Sequence, residues 1–162
     1  IFRQAKELGL TTSFDPNSDP SNNWSRSIGS VLRYADVLFV NEREATELTR
    51  SRMPKAALKA LGGNVPCAVI KRGPRGAIAV QDGAPAVHSG FKVTAVDSTG
   101  AGDSFDAGFL SAYLRKAPLA ECLRIGNACG AMCATRVGGT AGQPTESELQ
   151  TFLRSNASKR AK

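Results

Sequence analysis

Asp97-Ser98-Thr99-Gly100-Ala101-Gly102-Asp103-Ser104-Phe105-Asp106-Ala107-Gly108 is the stretch that says most about this chain. The alternating run 91–96 before it predicts a strand, and apolar residues recur after it at helical spacing, at Phe105, Phe109, Leu110 and Leu114. The glycines therefore fall where a strand is expected to give way to a helix. The first N–H groups of a helix lack partners within it and carry the positive end of its dipole. The turn thus predicts a backbone site for a phosphate, with the Asp103 carboxylate beside it.

The same composition also suits ordinary helix capping, because glycine-rich turns and acidic first turns are common at helix starts. Two familiar phosphate-binding sequences do not match. A Walker A loop needs Lys followed by Ser or Thr after its last glycine, and the third glycine of the dinucleotide fingerprint is replaced here by Phe105. The segment therefore disfavours a P-loop ATPase and an NAD-dependent enzyme.

The rest of the chain alternates between strand and helix patterns. Helices are predicted up to about Leu8, over 28–34, from Asn41, and over 54–61, 103–115, 118–135 and 145–154. Strands are predicted over 11–14, 36–40, 67–71, 77–80, 86–88 and 91–96. Such alternation predicts an α/β fold with a mostly parallel sheet, helices on both faces, and antiparallel strands at one edge.

Ligands of such sheets bind beyond the carboxyl ends of the strands. The sequence places Asp15 after the first strand, Asn41 after the second, Lys71-Arg72-Gly73 after the third and Gly100-Ala101-Gly102 after the last. We therefore expect these four motifs to lie at one rim of the sheet.

Composition narrows the class of protein. The 162 residues contain 41% apolar and 22% charged residues, and no apolar run approaches the ~20 residues of a membrane helix. We expect a soluble, cytoplasmic protein with no membrane partner. The net charge of +7 raises nucleic acid as a partner, but the basic residues are dispersed and aromatic residues make up only 6%, so no nucleic-acid partner is expected.

The cysteines and the single histidine carry no metal-site pattern. Cys67, Cys122, Cys129 and Cys133 form no Cys-x-x-Cys pair, and the last three are spaced to share one helix face. We expect buried structural thiols there and an ordinary role for His88.

Residues 97–105 resemble the C-terminal signature of the ribokinase-like (PfkB) carbohydrate kinases. Further matches follow in that family's order: Asp15-Pro16-Asn17 with Trp24, Asn41-Glu42-Arg43-Glu44-Ala45, Lys71 to Ala77, and Gly138-Gly139 ahead of Pro144. The resemblance covers about residues 1–153. It implies a three-layer αβα core of the ribokinase type, with residues 1–154 as the C-terminal nucleotide-binding and catalytic portion and 155–162 as a frayed basic tail. Family members are longer, so the N-terminal half, with its lid and most of the sugar site, is expected to be absent.

The resemblance implies phosphoryl transfer from ATP to a hydroxyl of a sugar or sugar-like substrate. Asp103 would be the general base, in preference to Asp106 one turn further on. The N–H groups of Gly100, Ala101 and Gly102 would form the anion hole for the transferred phosphoryl group.

Cofactor contacts follow from the other matched motifs. Asn41 and Glu44 match the family's Asn-x-x-Glu motif, which helps to position Mg²⁺ and phosphate, and they also form the sequence of a capping box. Gly73 and Gly76 match the loop beside the nucleotide phosphates. Lys71, with Arg72, either contacts phosphate or forms a solvated charge pair. Asn127 matches a position near the adenine or is an exposed polar residue.

Many relatives also bind a monovalent cation such as K⁺ next to the anion hole. The matching positions are Asp97, Thr99, Ala134 and Gly139, although segment 135–144 departs from the family in length and spacing. Two alternatives to the sugar kinase stay open: a non-catalytic nucleotide-binding module from a truncated kinase, and a nucleoside kinase of the same family. A homodimer is an expectation for the full-length protein only, because family dimers commonly form through the lid.

Overall fold

The computed structural model describes residues 1–17 and 28–160. Most of the predicted polar loop 15–24, including Trp24, lies outside the described residues, as do the last two residues of the predicted tail. Within the described part, no helix is long and apolar enough to span a bilayer.

The described residues contain seven α-helices and five strands. The helices are α1 Phe2–Glu7, α2 Ile28–Leu32, α3 Glu42–Thr49, α4 Pro54–Gly62, α5 Ala101–Leu114, α6 Leu119–Cys133 and α7 Glu146–Arg160, with a 3₁₀ turn at Gly73–Arg75. The strands are β1 Ser13–Phe14, β2 Val37–Asn41, β3 Cys67–Lys71, β4 Ala77–Gln81 and β5 Ala84–His88.

The strands form one sheet in the order β1-β2-β3-β4-β5. Strands β1, β2 and β3 are parallel, and the β2–β3 register runs from Val37 opposite Cys67 to Asn41 opposite Lys71. The link from β3 to β4 is too short for a parallel crossover. A two-residue turn joins β4 to β5, and its Asp82 and Gly83 both have positive φ, 48° and 83°, as a type I′ hairpin requires. The predicted mixed sheet is confirmed.

The chain divides into two compact units, residues 1–72 with 78–86, and residues 73–77 with the chain from 87 onward. In the first unit, β2 and β3 are buried over four consecutive positions each, as expected of parallel strands covered on both faces. Strand side chains such as Val40 and Ile70 pack in one cluster with Ala45 of α3 and Leu58 and Leu61 of α4.

In the second unit, α5 and α6 pack closely through small residues. A Cβ at Gly108 of α5 would lie 2.6 Å from Sγ of Cys129 on α6, and one at Gly126 would lie 3.0 Å from the Phe105 carbonyl oxygen. All four cysteines are buried, which confirms the structural prediction for Cys122, Cys129 and Cys133. Burial raises the pKa of Cys129 to about 11, so this thiol stays protonated and unreactive.

The predicted strand 91–96 is wrong. The segment is irregular, because the backbone N–H groups of Val96 and Asp97 donate to the Ala134 carbonyl at 2.7 and 3.2 Å instead of to a neighbouring strand. Phe91 packs edge-on against Phe152 of α7, with ring centroids 5.1 Å apart. The glycine turn at Gly100 therefore follows an irregular segment and not a strand of the sheet.

The predicted end of the last helix at 154 is also wrong, since α7 continues to Arg160. Side chains beyond 154 bond back to the helix: Ser155 Oγ and Asn156 Nδ2 both donate to the Phe152 carbonyl at 2.9 Å. The part of the predicted tail that the structure describes is thus helical.

Candidate active site

Helix α5 begins at Gly100 without a side-chain cap. Gly100 has φ 71° and ψ 0°, in the left-handed region, and its carbonyl accepts the Ser104 N–H at 2.9 Å. A Cβ at this position would overlap the backbone of Gly139, with the Gly139 Cα only 2.8 Å away. Both the backbone conformation and the close approach therefore require glycine here.

The N–H groups at this helix start are mostly unpaired. Ala101 N–H donates to the Ser98 carbonyl at 3.1 Å. In the described part of the chain, the N–H groups of Gly100, Gly102 and Asp103 donate to no carbonyl or side chain. Of the three predicted anion-hole donors, Gly100 and Gly102 are thus available, Ala101 has a partner, and the Asp103 N–H was missed by sequence reasoning. Three donors at the positive end of a helix dipole form a concentrated site for an anion.

Asp103 lies in the first turn of α5, and its residue is exposed to solvent. The structure therefore brings the predicted base and the predicted phosphate donors together on one turn. Asp106, the alternative carboxylate, is half-buried on the same helix. Ser104, between them, is 3% exposed, and its Oγ has no hydrogen-bond partner among the described residues.

The Asp97 carboxylate joins the segment before α5 to the loop after α6. Its Oδ1 accepts the N–H and the hydroxyl of Thr99 at 2.9 and 2.7 Å, and its Oδ2 accepts the Gly138 N–H at 2.8 Å. Hydrogen bonds from the Thr99 N–H, then the Gly138 N–H and the Thr99 hydroxyl, lower the pKa of Asp97. The ionised carboxylate holds the two backbone segments that meet at Gly100.

The four predicted cation ligands come together, but their oxygens are already engaged. Both Asp97 oxygens accept hydrogen bonds, and the Ala134 carbonyl accepts two N–H groups. The Thr99 and Gly139 carbonyls face Sγ of Cys133 at 3.6 and 3.8 Å. A monovalent cation needs several oxygens whose lone pairs point to one open position, and at these residues it would compete with the donors already bound to the same oxygens.

In the first unit, Asn41 and Glu44 form the predicted capping box at the start of α3. Asn41 Oδ1 accepts the Glu44 N–H at 2.9 Å, and the Glu44 carboxylate accepts the N–H and Nδ2 of Asn41 at 2.7 and 2.6 Å. Glu44 is only 4% exposed, whereas Asn41 is exposed at the end of β2.

Lys71 lies opposite Asn41 at the end of β3, and its Nζ forms an ion pair with Asp15 Oδ2 at 2.6 Å. Arg72 pairs with Glu42 at 3.1 Å. Asp15, Asn41 and Lys71 therefore occupy the carboxyl ends of three neighbouring parallel strands, as predicted. Lys71 and Arg72 thus each form an ion pair with an acidic side chain, and their contact with a phosphate stays a prediction.

In the second unit, Gly73 and Gly76 bound a tight turn, with φ 55° and 81°, and the Gly76 N–H donates to the Gly73 carbonyl at 2.9 Å. A Cβ at Gly76 would overlap the backbone of residues 88–90, whereas Gly73 has open space around it. Asn127 is 7% exposed, and its Nδ2 donates to the Leu123 carbonyl at 2.7 Å. The interpretation of Asn127 as an exposed residue is wrong.

Known proteins share this architecture. The pfkB family carbohydrate kinase model matches residues 1–146. An ATP-dependent ribose-1-phosphate kinase from Halopiger xanaduensis is 37% identical over 155 residues, which cover 94% of this chain and 49% of that protein.

Solved structures agree with the sequence relatives. A protein from E. coli assigned as a ribokinase II, in complex with ATP and Mg²⁺, aligns with a TM-score of 0.86 and 27% identity, covering 95% of this chain and 52% of its own. Fructokinase from Vibrio cholerae, with fructose, ADP and calcium bound, aligns with a TM-score of 0.84 and 28% identity, covering 94% and 53%.

The chain spans about half the length of these relatives. The family match extends over nearly the whole chain, and it includes the helix start at Gly100 and the capping box at Asn41. The chain belongs to the pfkB family of carbohydrate kinases and has the ribokinase-like α/β fold that its sequence predicts.

Proposed function

We propose that this chain carries the ATP-binding and catalytic portion of a carbohydrate kinase, which transfers the γ-phosphoryl group of ATP to a hydroxyl of a sugar or sugar-like alcohol. The observation that carries the proposal is the start of α5, where unpaired N–H groups and an exposed carboxylate share one turn. Phosphoryl transfer needs little covalent chemistry from a protein, because positioning and charge stabilisation supply most of the rate enhancement.

The N–H groups of Gly100, Gly102 and Asp103 would hold the transferred phosphoryl group as negative charge develops on its oxygens. They are fixed in advance by the helix and by the close contact between Gly100 and Gly139, so no reorganisation is needed during the reaction. Removal of one comparable donor in other enzymes costs about 2.7–4 kcal/mol of transition-state stabilisation.

The Asp103 carboxylate would accept the proton of the acceptor hydroxyl. As that proton leaves, the acceptor oxygen forms its bond to the γ-phosphorus, and the bond from phosphorus to the oxygen bridging the β- and γ-phosphates breaks, so ADP leaves with the electron pair. General base catalysis of this kind contributes about 10²–10⁴ in rate.

Asn41 and Glu44 fit a role in holding hydrated Mg²⁺. The Glu44 carboxylate is buried without an ion-pair partner in the described part of the chain, and hard cations prefer such oxygen donors. Bound Mg²⁺ would neutralise phosphate charge. Because the Glu44 oxygens already hold Asn41, we expect the pair to act largely through bound water and to keep its hydrogen bonds.

The other nucleotide contacts are proposals of the same kind. Gly73 and Gly76 would border the phosphates, where open space surrounds Gly73, and Asn127 would lie near the adenine. Lys71 would contact a phosphate from an ammonium group that already pairs with Asp15. ATP and a small sugar are the partners we propose, in the cytoplasm, without nucleic acid or membrane.

A second candidate function is a nucleotide-binding module that does not turn over by itself. The observation that favours it is coverage, because the chain spans only about half of the relatives described above. In those relatives, residues outside the aligned half would then supply the remaining contacts to the sugar.

The test compares wild type, Asp103→Asn and the matched variant Asp106→Asn, whose carboxylate lies one turn further along the same helix. ADP release is measured over a panel of sugars, sugar phosphates and nucleosides, and ATP-Mg binding is measured by calorimetry. The kinase is supported if a substrate stimulates ADP release and only Asp103→Asn abolishes it while ATP binding persists. ATP binding without any turnover supports the module. Absence of ATP-Mg binding contradicts both for this chain.

A further inference from the structure

We propose that Cys133 is a positioning residue whose thiol holds the anion-hole turn at the place where many relatives bind a monovalent cation, and that this chain does not use that cation. The inference rests on the proposed function for its link to ATP. Its structural part concerns only residues of the second unit.

The Cys133 thiol lies between two carbonyl oxygens from different segments. Its Sγ is 3.6 Å from the Thr99 oxygen and 3.8 Å from the Gly139 oxygen. Thr99 directly precedes Gly100, and Gly139 is the residue whose backbone contacts Gly100. The thiol therefore contacts both segments that fix the position of the Gly100 N–H.

Carbonyl oxygens that face a common position repel each other unless a positive group lies between them. A cation can fill that role, and so can the hydrogen of an S–H group, although a thiol is a weak donor. Cys133 is fully buried at the end of α6, so water does not compete for its S–H. The thiol offsets the repulsion between the two oxygens without any bound ion.

The remaining candidate ligands are satisfied within the chain. Asp97 accepts three hydrogen bonds through its two oxygens, and the Ala134 carbonyl accepts two from Val96 and Asp97. Their negative charge and lone pairs are thus directed to N–H and O–H groups. A cation at this position would have to compete with these donors for the same oxygens.

The experiment uses wild type, Cys133→Ala and Cys133→Ser, with Cys129→Ala as the matched control. Cys129 lies one turn earlier on α6, is also buried, and faces Gly108 of α5 and not the turn at Gly100. For each protein, ATP-Mg affinity is measured by calorimetry in KCl and in choline chloride at equal ionic strength. The melting temperature is measured in both salts without nucleotide.

We expect wild type to show the same ATP affinity and the same melting temperature in the two salts. Cys133→Ala should weaken ATP binding by about three- to tenfold, the effect of one hydrogen bond. Cys133→Ser, which keeps a donor, should restore most of the affinity. Cys129→Ala should lower the melting temperature as Cys133→Ala does but leave ATP affinity unchanged.

Two results would overturn the inference: a KCl-specific rise in the melting temperature or ATP affinity of wild type, or equal ATP affinities for Cys133→Ala and Cys129→Ala. If wild type binds no ATP in either salt, the proposed function falls for this chain. The response of the melting temperature to KCl then still decides whether the cation is used.

Discussion

Helices α3 and α5 begin in opposite ways. At the start of α3, the Asn41 side chain accepts a hydrogen bond from the Glu44 N–H, and the Glu44 carboxylate accepts one from the Asn41 N–H. The two side chains thus cap the helix. At the start of α5, Gly100 offers no side chain, and three N–H groups are left unpaired in the described part of the chain. Asn41 caps its helix with its own side chain, whereas no side chain caps the start of α5.

If the proposed function holds, the two helix starts differ because one serves stability and the other serves binding. A cap contributes about 0.5–2 kcal/mol to a helix, and α5 forgoes that contribution. Its unpaired N–H groups are the donors that the proposed function assigns to phosphate. The packing of α5 against α6 supplies the stability that the uncapped end lacks.

The largest expected effect on stability and ATP affinity comes from adding a methyl group at Gly100, at the uncapped start of α5. Gly100→Ala should lose about 1–2 kcal/mol to the left-handed backbone and about 1–3 kcal/mol to overlap with Gly139. ATP-Mg affinity should fall by about tenfold or more, because relief of the overlap displaces the turn and its N–H groups no longer point at the phosphate. Urea unfolding and calorimetry measure the two effects.

Gly83→Ala is the matched control for that variant, since Gly83 has φ 83° in the β4–β5 turn but open space around it. It should carry the conformational cost and leave ATP affinity unchanged. An equal loss of affinity in both variants would contradict the assignment of the Gly100 turn.

A smaller effect on stability should follow from removing the side-chain cap of α3. Asn41→Ala removes the cap and deprives the buried Glu44 carboxylate of the Nδ2 donor, while the backbone N–H of residue 41 still donates to it. The free energy of unfolding should therefore fall by about 1–2 kcal/mol. Asn41→Ser keeps an acceptor for the Glu44 N–H and should recover part of the loss. Urea unfolding of the three proteins measures the difference, and full stability in Asn41→Ala would show that the capping box contributes nothing.

The smallest expected effect on stability concerns hydrogen bonds that cap another helix, at the start of α7. The Thr145 N–H and hydroxyl donate to Glu148 Oε2 at 2.8 Å. These hydrogen bonds lower the pKa of Glu148, and the bond from the Thr145 N–H has the largest effect. The folded state therefore favours the ionised form, so the contribution is complete above the ordinary Glu pKa of about 4.3 and is lost as pH falls through the lowered value.

Carbon-detected NMR of the Glu148 carboxyl should record that lowered midpoint, and Glu148→Gln should remove the corresponding part of the acid-induced loss of stability. A site-resolved measurement is needed, because hydrogen bonds also lower the pKa of Asp97. The stability that Asp97 contributes is therefore lost at low pH as well. A Glu148 midpoint at its ordinary value would contradict the capping contact.

The sequence predicted local features whose causes are local. The capping box follows from Asn41 and Glu44 alone, and strand Cys67–Lys71 follows from an apolar run with clear ends. Segment 91–96 alternates as a strand does, yet its hydrogen bonds go to Ala134, which is remote in sequence. No pattern within the segment could indicate that partner.

Prediction of the candidate site from the sequence was limited in the same way. The motif identified Gly100, Gly102 and Asp103 as neighbours on one turn, but it could not show that Ala101 N–H is taken by Ser98. Helical spacing predicted the burial of Cys133 correctly. Its contacts with two carbonyls depend on how the loop after α6 returns to Thr99, which is a property of the tertiary fold.

The contact between Gly108 and Cys129 limits how this protein can evolve. A methyl group at position 108 would press on the Cys129 sulfur at 2.6 Å, and the strain would tilt the helix whose first turn holds Asp103. A larger residue at 108 needs a smaller side chain at position 129 and also a small displacement of α6, because its Cβ would lie 3.1 Å from the Ile125 carbonyl oxygen. Among related kinases, we therefore expect these two positions to change as a pair, although neither one takes part in the proposed chemistry.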